Sequence, residues 1–163
     1  MVFILIYKRR RSCITRALIG TITVVCGLTF NEIFMTYELN LKQFEAVLSL
    51  SDVKRFDHFI SRIVDWEEIW SLKTESGWVT VESEGRQCIP FWPHPQYAQL
   101  FAKGDWIDST AEVITLDNFI DKWLPGMEKD RVFVAVFPNL KMQGIVAESK
   151  RVLMAVNKEN EQY

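Results

Sequence analysis

Two histidines, three cysteines and seven glycines are a thin supply of ligating, nucleophilic and phosphate-cradling residues for a chain of 163. Metal centres need Cys, His or carboxylates at short spacings, and the sequence contains no C-x-x-C pair, no H-E-x-x-H and no calcium-loop pattern. Cys13 and Cys26 fall in the first 34 residues and Cys88 stands alone after them, so the rest of the chain can build no disulfide framework. That usage fits a reducing compartment, and the expected location is the cytoplasm. The glycines form neither a Walker loop nor a dinucleotide fingerprint, and no G-x-S-x-G elbow occurs. Phosphate binding, hydride transfer and serine hydrolysis therefore lack a handle, and no cofactor is expected. Long apolar runs are missing too: residues 17–30 form a stretch of 14, short of the roughly 20 that span a bilayer.

What is present is the composition of a folded globular protein, 48% hydrophobic and 25% charged, at a length suited to one domain. The formal charge of -2 hides a split. Residues 1–34 carry Lys8, Arg9, Arg10, Arg11 and Arg16 against Glu32 alone, a net of +4, and the remainder has 14 basic and 20 acidic side chains, a net of -6. An acidic body repels phosphate backbones, so no nucleic-acid partner is expected.

The basic cluster and the apolar stretch after it have the order of a signal peptide, yet Phe30, Asn31, Glu32, Ile33 and Phe34 offer no small-x-small cleavage site, and bulky Val25 precedes Cys26 where a lipid anchor needs a small residue. Three readings stand: translation starting at Met35, with "MTYELNLKQFEAVL" leading straight into a helix; an uncleaved anchor through residues 17–30, the one case in which a membrane is a partner; and a secretory signal. The first is preferred. It leaves one domain over residues 39–156 and a charged tail over 157–163 that should fray.

Leu41, Phe44, Val47 and Leu48 recur at helical spacing behind Asn40 as a cap, and Val53, Phe56, Phe59, Ile60, Ile63 and Val64 form a second stripe after Ser51. The two predict a helical hairpin. After Trp66 the period falls to two, and "EIWSLKT", "GWVTVE" and "RQCIPFW" read as a three-stranded antiparallel meander with turns at "ESG" and "SEG". Pro93 ends the third strand and Pro95 opens a helix faced by Tyr97, Leu100 and Phe101, with Gly104 as its stop. A short strand at "AEVIT" precedes a helix capped by Thr115, whose Leu116, Phe119, Ile120, Trp123 and Leu124 share one face and which Pro125 and Gly126 should terminate. "RVFVAVFP" is apolar on both faces and should lie inside its sheet. "GIVAE" suggests a last strand, and Ser149 begins a terminal helix with Val152, Leu153 and Val156 inward. The expected fold is α+β: one domain with a mainly antiparallel sheet of about 4–6 short strands and about five helices.

The candidate site is the strand-to-helix junction "IPFWPHPQYAQLF". Trp92, His94 and Tyr97 sit together there, and Trp106 in the following loop lies, like Trp92, outside regular periodicity; the other tryptophans read as core. A histidine at a helix N-terminus suits a general base, but no spacing provides it a partner. Cys88 offers a thiol, though a lone strand cysteine reads first as a small buried hydrophobe. His58 reads as solvated. Asp105, Asp108 and Glu112 surround Trp106 as a solvated charge run.

"WEEIWSLKTESGWV", "IPFWPHPQYAQLF", "ITLDNFIDKWLPGM", "VFVAVFPN" and "GIVAESKRVL", taken in that order, resemble a family of small, mainly bacterial proteins of unknown function, DUF2750, across about residues 52–156. The resemblance begins near the first helices, which places residues 1–34 outside it, and it brings no activity, substrate or catalytic residue. A fainter architectural similarity, at residues 90–92 and 137–139, is to the N-terminal domain of the serine-sensitivity enhancing proteins, which tilts the reading toward a binding module. Two functions are carried forward: a cytoplasmic, non-catalytic binding or regulatory module that meets a protein or small-molecule ligand through Trp92, His94, Tyr97 and Trp106, or an enzyme using His94 as general base or Cys88 as nucleophile.

Overall fold

The structure, a computed structural model, describes residues 41–162. The leader, the start at Met35 and the cap at Asn40 lie outside the described residues. The first two helices are α1 (Leu41–Leu48) and α2 (Asp52–Trp66), and Glu67 ends α2 in the left-handed region with φ 57°. α2 buries Phe56, Phe59, Ile60 and Ile63 on one stripe, as their spacing dictates. Two members of that reading change: Val53 is 63% exposed because it begins the first turn beyond the edge of the core, and His58 is half-buried against the Phe137 ring.

Seven strands follow, in two mostly antiparallel sheets ordered β2-β1-β5 and β3-β4-β6-β7. They are β1 (Glu68–Thr74), β2 (Gly77–Trp78), β3 (Val81–Ser83), β4 (Arg86–Phe91), β5 (Thr110–Thr115), β6 (Phe133–Val136) and β7 (Ile145–Ala147). The run expected as one strand at "GWVTVE" is divided. Residues 77–79 hydrogen-bond to β1, and beyond Thr80 the chain pairs with β4, so a single bent segment serves both sheets. The tight turn between β3 and β4 places Glu84 at φ 53° and Gly85 at φ 71°, the left-handed pair that a two-residue hairpin demands. The sheets meet again where Trp70 and Trp92 exchange backbone hydrogen bonds of 2.9 and 2.8 Å, and where Ser71 Oγ donates to the Pro90 carbonyl at 2.8 Å. β4 and β6 run parallel, a pairing that no local pattern in the sequence announces.

β6 lies inside its sheet, as its apolar faces require. Val134 and Val136 pack with Phe91, Ala147 and the stripe of α2, joined by Val152 and Val156 of α6 (Ser149–Asn160). Each large side chain removed from water in this way contributes about 2 kcal/mol. α6 stays helical to Asn160, past residue 157 where fraying is expected.

The helix after β5 does not stop at Pro125. α4 (Leu116–Asn118), a π-helical stretch (Phe119–Trp123) and α5 (Leu124–Asp130) follow without a break, and the segment ends at Arg131, φ 57°. Thr115 Oγ1 accepts the Asn118 N–H at 3.3 Å as its cap. The wide turn explains the proline: Leu124 donates to the carbonyl of Phe119, five residues back, where the ladder is already opened and Pro125 needs no donor.

Candidate functional site

Trp92 is the most buried tryptophan in the chain, fully enclosed, with Nε1 donating to the Pro138 carbonyl at 3.4 Å and its ring tilted on Phe101 at 4.9 Å. Its separation from regular periodicity thus marks a long-range core position. His94 caps α3 (Pro95–Gln99): Nδ1 accepts the Gln96 N–H at 3.2 Å, and the ring meets the edges of Trp66 at 5.9 Å and Tyr97 at 6.3 Å. The residue is 2% exposed. Tyr97 stacks flat on Phe44 of α1 at 4.8 Å and tilts against Phe137 at 4.7 Å. Burial pushes its phenol up to about 12, and its hydroxyl has no hydrogen-bond partner among the described residues. The junction therefore brings Trp92, His94 and Tyr97 into the interior, where none presents a surface to solvent.

Cys88 is fully buried on β4, with its Sγ 3.4 Å from the Arg86 carbonyl, and burial pushes its thiol above the ordinary cysteine value. A nucleophile needs the opposite shift. Asp105, Asp108 and Glu112 all stand exposed.

Trp106 is placed differently. It ends a single 3₁₀ turn (Gly104–Trp106) entered through Gly104 at φ 59°, and its carbonyl accepts Ser109 Oγ at 2.6 Å. Half-buried, the residue lines a cleft of about 350 Å³ on the four-stranded sheet. The strand register puts Val81, Cys88, Pro90, Ala135 and Val146 on one face, opposite the face that α2 and α6 cover. Val81, Ala135 and Val146 line the cleft together with the edge residues Thr80, Glu82 and Ser83, and Pro138, Met142 and Gly144 complete it from the β6–β7 loop. Trp106 is thus the one residue of the predicted four that reaches this cleft.

The loop wall is built, and the residues that build it escaped the reading of the sequence. Asn139 Oδ1 accepts the N–H groups of Lys141 and Gln143 at 2.9 and 3.0 Å, an Asx turn of the kind that Pro-Asn favours. Phe137 and Met142 take left-handed backbone, φ 40° and 58°. Arg55, 2% exposed, donates from Nε to the Phe137 carbonyl at 3.1 Å and from Nη2 to the Gln143 carbonyl at 3.0 Å, while also bonding the Leu50 carbonyl and the Asp52 carboxylate. A signal was present: Arg55 stands four and eight residues before Phe59 and Ile63, in phase with the buried stripe.

Among the described residues, no helix is long and apolar enough to cross a membrane. A comparison with curated proteins finds no match. Residues 56–155 match the family model described as "Protein of unknown function (DUF2750)", which takes in β1 to β7 and most of α2 and α6. With the greater part of its length inside that match, the chain belongs to the DUF2750 family of proteins of unknown function.

Proposed function

We propose that this protein is a non-catalytic binding or regulatory module of the cytoplasm that takes its ligand in the cleft walled by Trp106. The observation that carries the reading is the cleft itself: about 350 Å³ on the sheet face opposite α2 and α6, within the size range of small-molecule sites, with an aromatic wall and a loop fixed by a buried arginine. Trp92, His94 and Tyr97 enter as supports. Trp92 holds the Pro138 carbonyl, and Tyr97 packs against Phe137, so the junction sets the position of the loop from beneath. Enclosure of His94 and the raised thiol of Cys88 favour this reading over catalysis by either residue.

The test is a screen of small molecules by ¹⁵N-NMR on the full chain. Ligands are expected to shift the Trp106 indole N–H together with the amides of Met142 and Val146, and Trp106→Ala should abolish these shifts while leaving the spectrum folded. Shifts that centre elsewhere, or that survive Trp106→Ala, would overturn the proposal.

A further inference from the structure

We infer that the cleft takes a small organic cation, an ammonium group carried on an apolar aryl or alkyl body. The inference rests on the cleft reading above and names its ligand.

Four tryptophans are half-buried, and three of them are already engaged by rings or cations of the chain. Trp66 carries the Arg62 guanidinium at 5.3 Å, Trp78 carries Lys73 Nζ at 5.5 Å, and Trp123 meets the edge-on rings of Trp78 and Phe91. Trp106 has neither a ring nor a cation from the described residues against it, and it is the one that lines the cleft. An indole face attracts ammonium groups more strongly than any other side-chain ring.

The rest of the lining selects the same charge. No lysine, arginine or histidine is among the ten residues that form it; Glu82 is the one ionisable residue, and alternation along β3 turns its side chain away from the face of Val81, so it lines the cleft at the strand edge. An anion entering there would lose its water without a counter-charge. The backbone adds one acceptor, the Glu82 carbonyl. Ser83 and Arg86 close the hairpin around Glu84 and Gly85, so alternation along β3 turns the N–H and C=O of Glu82 outward from the ladder, toward the open edge. Asp105 adjoins Trp106 in the chain. Cations adjoining the lining in chain or register are Arg86, drawn over the Phe133 ring at 5.0 Å, Lys141, exposed on the loop, and Lys103, exposed at the start of the 3₁₀ turn. Val81, Ala135, Val146 and the Met142 thioether supply the surface for the apolar body.

The probes are phenethylamine, 2-phenylethanol and 3-phenylpropionate, titrated into the full chain with the Trp106 indole N–H as readout. The amine should bind about 10-fold more tightly than the alcohol, in the range of a desolvated cation–π contact. 3-Phenylpropionate should bind more weakly than either. Equal or tighter binding of the alcohol or the carboxylate would overturn the cation inference and leave the cleft standing as a site. If none of the three moves Trp106, both the inference and the cleft reading fall.

Discussion

Arg55 and Phe137, 82 residues apart, are joined by a buried hydrogen bond of 3.1 Å from the guanidinium Nε to the backbone carbonyl. The bond fixes the start of the β6–β7 loop where Phe137 takes left-handed backbone at φ 40°, a conformation that costs a non-glycine residue on the order of 1–2 kcal/mol. The same guanidinium holds the Gln143 carbonyl at the far end of the loop and the Leu50 carbonyl between α1 and α2. One buried charge thus secures both ends of the loop that walls the cleft.

Arg55→Met should therefore lower stability by about 3 kcal/mol, because three carbonyls lose a charged donor in a place water cannot easily replace it. Arg55→Lys keeps the charge but not the planar fork, and should recover less than half of that loss. Urea denaturation with a constant m-value measures both. A loss below about 1 kcal/mol for Arg55→Met would show that the loop holds itself.

Two glycines separate steric from propensity effects. A Cβ on Gly144 would come within 2.9 Å of the Val136 carbonyl oxygen and 3.0 Å of Pro138 Cα, both backbone atoms, so Gly144→Ala should cost about 1–3 kcal/mol. Gly126 lies inside α5 with open space around it, and Gly126→Ala should add about 0.5–1 kcal/mol through helix propensity. Opposite signs in thermal melts are expected. A Gly144→Ala protein as stable as the parent would refute the close approach at Gly144.

Tyr97 keeps its hydroxyl in the core without a hydrogen-bond partner among the described residues, although its ring is well packed. Removing the oxygen leaves that packing and relieves the burial of a polar group, so Tyr97→Phe should leave the melting temperature unchanged or raise it. A fall of several degrees would mean that the hydroxyl holds a buried water. Tyr97→Ala, which also deletes the ring, should cost about 3–5 kcal/mol.

Local pattern carried most of the elements. Thr115 and the face from Leu116 to Leu124 announce their helix, the even period of "EIWSLKT" announces β1, and Pro93 and Pro95 mark the junction where α3 begins. Trp92 shows where that legibility ends. Its burial is made by Trp70, 22 residues earlier, and by Pro138, 46 later, and neither is visible from its own neighbourhood. Pro125 misleads for a related reason: it breaks an α-helix by local rules, but a π-turn just before it removes the conflict. The cleft gathers Trp106, one edge strand and a distant loop, so it follows from sheet order, which depends on the parallel pairing of β4 with β6. Trp106 was recognisable as a residue outside the core patterns, whereas its partners in the lining were not.

His58 provides a pH-dependent test of how α2 packs beneath that loop. Burial against Phe137, and secondarily the Arg62 charge one turn away, lower its pKa from 6.5 to about 4. Between those values the unfolded chain binds a proton that the folded chain does not, so the contribution is fully present above pH 6.5 and is lost as pH falls toward 4. The urea midpoint should accordingly drop across that window. Carboxylates also begin to titrate near its lower end, so the informative quantity is the difference from His58→Gln, which keeps a neutral polar side chain and cannot take up the proton. The variant should show a shallower decline between pH 6.5 and 4.5 and the same slope as the parent protein above pH 7. Parallel curves throughout would mean that His58 is protonated in the folded state as readily as in the unfolded one, and that its contact with Phe137 does not exclude water.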